Sequence, residues 1–363
     1  MLVGPELSHL LRFVRPEEVP GADGLMTGWE LERYLAAMSE PRYHLVAVGD
    51  VMLGGRATRP MREYGDDYPF RAVSPLLART PVVLGNLEGP LAKRASRTGR
   101  NFSYRVPPVV AVTMRRVGMN VVTLANNHLV DCGRRGVLET LEAVESAGIV
   151  GIGAGRNKAE AHRGAVVDAS GLKLGLLGYY WNRRCAATAT APGSAMDPPE
   201  ELREDIAALR PRVDRLVVTF HWGIPYEREP SAADRCKARL AIDLGADAVV
   251  GHHPHVVQPF EVHRGKPIFY SVGNFTFGSG NSRGEGLVLG FEFGFSRTRV
   301  AVYPLYVKNR DPRVDYQPKV MRGRAARSAL EQLIDISGAD GARLVLQEAR
   351  GILDLPGEPQ PAA

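Results

Sequence analysis

Three of the chain's nine histidines, His252, His253 and His255, fall in one turn of the stretch DAVVGHHPHVVQPF (247–260), directly after a run of small and β-branched apolar residues. A neutral imidazole ligates metals, and a protonated one binds anions or moves protons, so three together ask for one of those tasks. The same pattern recurs along the chain. Asp50 ends LVAVGD, Asn86 and Glu88 follow VVLG, Asn127 and His128 end VVTLANNH, and His221 ends LVVTFH. All these donors are oxygen or nitrogen, without a thiolate. Such a set suits one or two divalent metal ions of the Mn, Zn, Fe or Mg type. Glu88 is the candidate bridge, because a carboxylate has two oxygens and neutralises charge.

Each residue also has a plainer use. Asp50 can cap a turn, Asn86 can close a βα turn, and Asn126 with Asn127 can form a turn pair. His221 can be a satisfied core histidine, and the 252–255 turn an anion nest around Gly251. Taken jointly the plain uses require five separate coincidences, one for each strand end.

The elements that must position these residues are short apolar strands at 44–50, 81–86, 120–127, 147–155, 173–180, 214–223, 246–253 and 266–274. Helices are expected at 133–146 and 231–244. Unbroken apolar strands alternating with helices predict an α/β fold with a buried sheet, and ligands in such sheets gather beyond the carboxyl ends of the strands. Residues 286–307 alternate, as antiparallel strands with one wetter face do. The helix expected over 25–38, opened by Thr27, would turn Trp29, Leu31, Leu35 and Met38 inward. Three regions follow: an N-terminal helical appendage (1–42), the main domain (43–310), and a C-terminal helical extension with a Pro-rich tail (311–363).

The formal charge is +6 and the pI near 9.3, but the arginines are scattered, and the short cluster KRASRTGR (93–100) has no interleaved aromatics. This argues against nucleic acid and leaves a small anionic substrate as the expected partner. Three isolated cysteines fit neither a zinc ribbon nor a disulfide scaffold and suit a reducing compartment. Neither a signal peptide nor a membrane-length apolar run is visible, so a cytoplasmic, non-membrane protein is expected.

The motifs GDVMLGG (49–55), GNLEGPL (85–91), LANNHLVDCG (124–133), HWGIPY (221–226), GHHPHVVQP (251–259) and YSVGNFTF (270–277) together resemble the CapA/PgsA family of capsule and poly-γ-glutamate synthesis proteins, within the calcineurin-like metallophosphoesterase superfamily. The resemblance covers roughly 43–310. It implies a four-layer α/β/β/α sandwich with metals at the strand ends. It also implies Asp50, Glu88, Asn127, His221, His255 and either His252 or His253 as ligands, with His128 assisting the leaving group. Two positions depart from the superfamily: Met52 stands where a histidine is usual, and Asn86 where a bridging aspartate is usual. These departures weaken one metal position.

Further candidates are Asp131, to orient His128 or cap a helix, and Arg105 in NFSYR (101–105), to hold a carboxylate or phosphate. Trp222 and Tyr226 can wall a pocket or pack in the core, and Asn274 can support the ligands. The leading expectation is a metal-dependent hydrolase in which metal-bound hydroxide attacks a phosphoester or a peptide or γ-glutamyl amide. The alternatives are an amide-forming biosynthetic enzyme, for which no GxxxxGKS/T loop is present, and a non-catalytic assembly or binding protein on the same fold.

Overall fold

The structure is a computed structural model that describes residues 24–37, 43–93, 104–280, 282 and 284–356. Met38, the basic cluster from 94, residues 101–103 of NFSYR and the tail from 357 lie outside the described residues.

Among the described residues a ten-stranded sheet contains β1 (Leu45–Met52), β2 (Val83–Leu87), β3 (Val121–Thr123), β4 (Val150–Ile152), β13 (Asn274–Phe277), β14 (Glu285–Phe293), β15 (Arg297–Tyr306), β16 (Lys319–Val320), β17 (Leu344–Leu346) and β18 (Gly351–Pro356). A six-stranded sheet contains β6 (Ala165–Ala169), β7 (Leu172–Tyr180), β9 (Arg215–His221), β10 (Ala248–His252), β11 (Phe260–His263) and β12 (Lys266–Phe269), and a small pair joins β5 (Ala154–Gly155) to β8 (Gly193–Ser194). The helices are α1 (Gly28–Ala37), α2 (Thr58–Tyr64), α3 (Ser74–Leu77), α4 (Val110–Arg116), α5 (Gly133–Ser146), α6 (Lys158–His162), α7 (Pro199–Leu209), α8 (Ala232–Asp243) and α9 (Gly323–Ile336).

The layering follows from strand periodicity. Successive strand residues face opposite sides of a sheet, so a strand buried at every position is covered on both. All eight residues of β1 are buried. Its Leu45 and Ala47 enter a core shared with Val217 of β9 and Ala248 and Val250 of β10, which is the interior between the sheets. Its Val46 and Val48 enter a second core with Leu76, Met114, Val137 and Leu141 from α3, α4 and α5. On the far side, Leu216 and Val218 of β9 and Val249 of β10 meet Leu202 and Ile206 of α7 and Ala241 of α8. Two sheets face to face with helices on both outer faces make the four-layer α/β/β/α sandwich.

Each sheet has a parallel centre: β1–β2–β3–β4 in one, β7–β9–β10–β12 in the other. Their carboxyl ends come together. Asp50 is paired in register with Asn86 on one side and Asn274 on the other, and His252 with His221. Glycines permit this approach. A Cβ on Gly49 would lie 2.0 Å from the Gly273 carbonyl oxygen, and one on Gly251 would lie 1.9 Å from that of Tyr270.

The expected helices at 133–146 and 231–244 appear as α5 and as α8, the latter opened by Ser231 in a reciprocal cap with Asp234. α1 has a similar cap: Thr27 Oγ1 accepts from Glu30 N–H at 3.2 Å, and Thr27 N–H donates to Glu30 at 3.0 Å. Four expectations need correction. Trp29 is exposed, with only Leu31 and Leu35 of that helix buried. The strand expected over 120–127 ends at Thr123, and residues 126–129 turn instead. β14 has no wetter face, because Leu287 and Leu289 enter the core between the sheets while Val288 enters the core outside. The region after residue 311 is not only helical, since β18 pairs with β15 and extends the larger sheet. A strand whose partner is distant leaves little trace in local pattern.

Candidate metal centre

Asp50, Asn86 and Glu88 reach the centre from the ends of β1 and β2. Asn126, Asn127 and His128 reach it from the turn after β3. His221 and His252 end β9 and β10, and His253 and His255 occupy the following turn. That turn is conformationally demanding, with positive φ of 97° at His253 and 56° at His255. Non-glycine residues in this region cost about 1–3 kcal/mol each, so the surroundings must hold them. Asp50 contributes by accepting the His253 backbone N–H on Oδ2 at 3.3 Å.

Glu88 sits at the middle, fully buried. Its Oε1 lies 3.7 Å from His128 Nε2, 3.8 Å from His221 Nε2 and 3.7 Å from His255 Nε2, and it has no hydrogen-bond partner among the described residues. His253 Nδ1 and His252 Nε2 are likewise buried without one. Unpartnered buried polar atoms are uncommon in native proteins and call for an explanation. Atoms bound about 2.1 Å from one ion stand about 3–4 Å from each other, the separation found around Glu88 Oε1. Two overlapping groups, Glu88–His253–His255 and Asp50–Glu88–His221, have donor atoms close enough to share an ion. A divalent ion with oxygen and nitrogen ligands fits these residues.

The surrounding contacts orient the imidazoles. His128 Nδ1 faces Asp131 Oδ2 at 2.8 Å. His255 Nδ1 faces Asn274 Oδ1 at 3.0 Å and Asp50 Oδ2 at 3.1 Å. His221 Nε2 meets Asn127 Oδ1 at 2.8 Å, and His252 Nδ1 stands 3.4 Å from Asp50 Oδ1. Electrostatics follow from this crowding. Burial opposes charge on Asp50, but the adjoining imidazoles of His252 and His255 outweigh it and hold the carboxyl well below the usual range. Burial, with the charges of Asp50 and Asp131 adding to it, pushes Glu88 well above its usual value against the pull of His255. Burial and the neighbouring His253 push His221 well down, and burial with His255 brings His253 to about 4.

The other expected residues fall as follows. Tyr226 lies at the rim, partly exposed, its ring 6.1 Å from that of His255. Trp222 does not wall the cluster: it is buried, stacked on Phe220 at 4.6 Å, and donates Nε1–H to the Tyr270 carbonyl. Directly after β9, it continues the outward alternation of Val218 and Phe220 into the core beneath α8. Arg105 is engaged elsewhere, donating to the Ala92 and Lys93 carbonyls at 3.1 Å each. Its neighbour Tyr104 takes the place beside the cluster, with its ring 4.4 Å from His128. Glycines in two motifs make room for it, since a Cβ at Gly54 or Gly89 would fall 2.7 or 2.8 Å from the Tyr104 carbonyl oxygen. Those paired glycines are the signal that could have pointed to Tyr104. Asn126, read as half of a turn pair, also joins the network, donating to Asn86 Oδ1 at 3.1 Å and Leu87 O at 2.8 Å.

Fold and centre together define a four-layer α/β/β/α sandwich with a buried histidine–carboxylate cluster at its strand ends. The chain belongs to the family described as bacterial capsule synthesis protein PGA_cap, whose pattern matches residues 44–279. It is 34% identical over 249 residues to the capsule biosynthesis protein CapA of Bacillus anthracis, covering 66% of this chain and 61% of that one. It is 32% identical over 241 residues to the PGA biosynthesis protein CapA of Bacillus subtilis (strain 168), covering 65% and 63%. The chain thus spans about three fifths of the length of these relatives. Among solved structures, a 5'-nucleotidase precursor from Thermus thermophilus superposes with TM-score 0.43 at 17% identity, over 73% of this chain and 51% of that one. Among the described residues no helix is long and apolar enough to cross a membrane.

Proposed function

We propose that this protein is a metal-dependent hydrolase that cleaves a phosphoester or a γ-glutamyl-type amide of a small anionic substrate, in capsule or poly-γ-glutamate metabolism. The observation that carries the reading is Glu88 Oε1, buried with no hydrogen-bond partner among the described residues, 3.7 Å from His255 Nε2 and grouped with His253 and His255 closely enough to share an ion. Glu88, His253 and His255 are the residues proposed to hold the ion, with Asn274 and Asp50 fixing the His255 ring. A divalent ion there supplies Lewis acidity and stabilises developing negative charge, which serves attack at phosphorus and at a carbonyl alike.

The chain's own residues supply the rest. Asp131 holds His128 Nδ1–H and steadies positive charge on the ring when Nε2 carries a proton. From Nε2, on the same side as Glu88, that proton can pass to a leaving oxygen or nitrogen. The Tyr104 ring against His128 and the buried walls of the turn limit water around it.

The test is elemental analysis of protein purified without chelator, beside a His255→Ala variant, followed by assays with p-nitrophenyl phosphate and γ-glutamyl-p-nitroanilide. Bound transition metal that is lost in the variant, with hydrolysis of either compound, is the expected result. No metal after reconstitution with Mn²⁺, Zn²⁺ or Fe²⁺ would sink the reading and leave a binding or assembly protein. Asp131→Asn should keep the metal and lower turnover about 10–100-fold, as the loss of an orienting partner typically does.

A further inference from the structure

The two donor groups around Glu88 differ in what already stands between them. Asn86 Nδ2 lies 2.8 Å from Asp50 Oδ1, 3.1 Å from His221 Nδ1 and 3.5 Å from Glu88 Oε2, touching every member of the Asp50–Glu88–His221 group. In the other group, Glu88 Oε1 and His253 Nδ1 have no partner among the described residues. One position is filled by an amide; the other is lined by unused ligand atoms.

The orientation of Asn86 is dictated from the backbone. The Leu87 carbonyl can only accept, so Asn126 must present Nδ2 to it, at 2.8 Å. The His128 N–H can only donate, so it faces Asn126 Oδ1, at 3.1 Å. Fixed at both ends, Asn126 has the second hydrogen of its NH₂ left to offer, and it goes to Asn86 Oδ1 at 3.1 Å. Asn86 therefore turns its own NH₂ toward Asp50 and His221. The reverse orientation would set two NH₂ groups against each other and a carbonyl oxygen against a carboxylate.

His221 follows suit. Its Nδ1 accepts from Asn86, so Nε2 carries the hydrogen that Asn127 Oδ1 receives. His128 and His255 have the opposite arrangement, with Nδ1–H on oxygen acceptors and Nε2 facing Glu88 Oε1.

We propose that the centre holds a single divalent cation, at Glu88, His253 and His255, and that the Asn86 amide stands in for a second one between Asp50, Glu88 and His221, kept in that orientation by Asn126. The proposal rests on the metal-dependent reading above. An NH₂ group satisfies Asp50 and His221 but brings no Lewis acidity. Reaction at this centre is therefore single-ion chemistry in which His128 must supply the charge compensation that a second ion would have given.

The experiment is Mn²⁺ binding to the full chain after chelator treatment, counted by equilibrium dialysis with elemental analysis and read by electron paramagnetic resonance. The wild type should bind one Mn²⁺ per chain with the spectrum of an isolated ion. Asn86→Asp replaces the donor with a carboxylate and should bind two, with a spin-coupled spectrum. Two equivalent ions in the wild type would overturn the single-cation proposal while leaving the metal reading intact. No ion in the wild type would overturn both. One ion in both proteins, with the variant's circular dichroism and melting unchanged, would overturn the stand-in role of Asn86. Should the variant not fold, the wild-type count still decides the number of ions.

Discussion

At the scale of single residues, His255 shows how the cluster's charges act on one ring. Burial lowers its pKa, but the Glu88 charge and the contacts with Asp50 and Asn274 outweigh burial and raise it to about 9. The folded value lies above the unfolded value of about 6.5, so the imidazolium stabilises the metal-free fold. That contribution is complete below about pH 6.5 and is lost as pH rises through about 9. The melting temperature of metal-free protein should therefore fall across this window, and His255→Gln should flatten the fall. Binding Mn²⁺ near neutral pH should release a proton, because the ring must be deprotonated to ligate; calorimetry in buffers of different ionisation enthalpy measures this. An uptake of Mn²⁺ indifferent to pH would contradict it. Residue types at strand ends were legible in the sequence because metal chemistry limits them to a few side chains. The choice between Tyr104 and Arg105 was not, since it depends on where the Ala92 and Lys93 carbonyls point.

At the scale of elements, close backbone approach governs the centre. Gly49 precedes Asp50, and Gly251 precedes His252; a methyl group on either would press on the carbonyl oxygen of Gly273 or of Tyr270. Gly49→Ala or Gly251→Ala should cost about 3 kcal/mol or more, at the upper end of overpacking effects, and should impair Mn²⁺ uptake together with stability. Urea unfolding checks the first part and dialysis the second. The α1 cap is a milder case: Thr27→Ala should cost about 1 kcal/mol by urea unfolding without touching the metal. Helix α5 was readable from its apolar spacing, and α8 also from its capping serine, because both are local signals. β18 and the burial of both β14 faces were not, because they depend on partners remote in the chain.

At the scale of the whole molecule, the larger sheet is assembled from both halves of the sequence. β1 lies between β2 and β14, and the order β17–β18–β15–β14–β1 ties residues 344–356 to the strand that carries Asp50. Leu344, Leu353 and Leu355 are buried in the core between the sheets. Each such side chain contributes about 1.5–3 kcal/mol. Truncation after Ile336 should therefore give an aggregating chain rather than a trimmed but folded one, which size-exclusion chromatography would show. A monomeric truncation with native circular dichroism would contradict this. The alternation of strands and helices foretold an α/β fold, and the family resemblance of the motifs implied its four layers; the closing role of residues 344–356 was not foreseeable.

That closure has a consequence during synthesis. Asp50 is made before its neighbour β14, and the strand β18 that covers β15 arrives only when residues 351–356 have left the ribosome. Until then β15 offers a bare edge, and contacts across so much chain form slowly. A nascent chain of this protein must pass through an interval in which much of its centre has been made while its largest sheet remains open to any other extended chain.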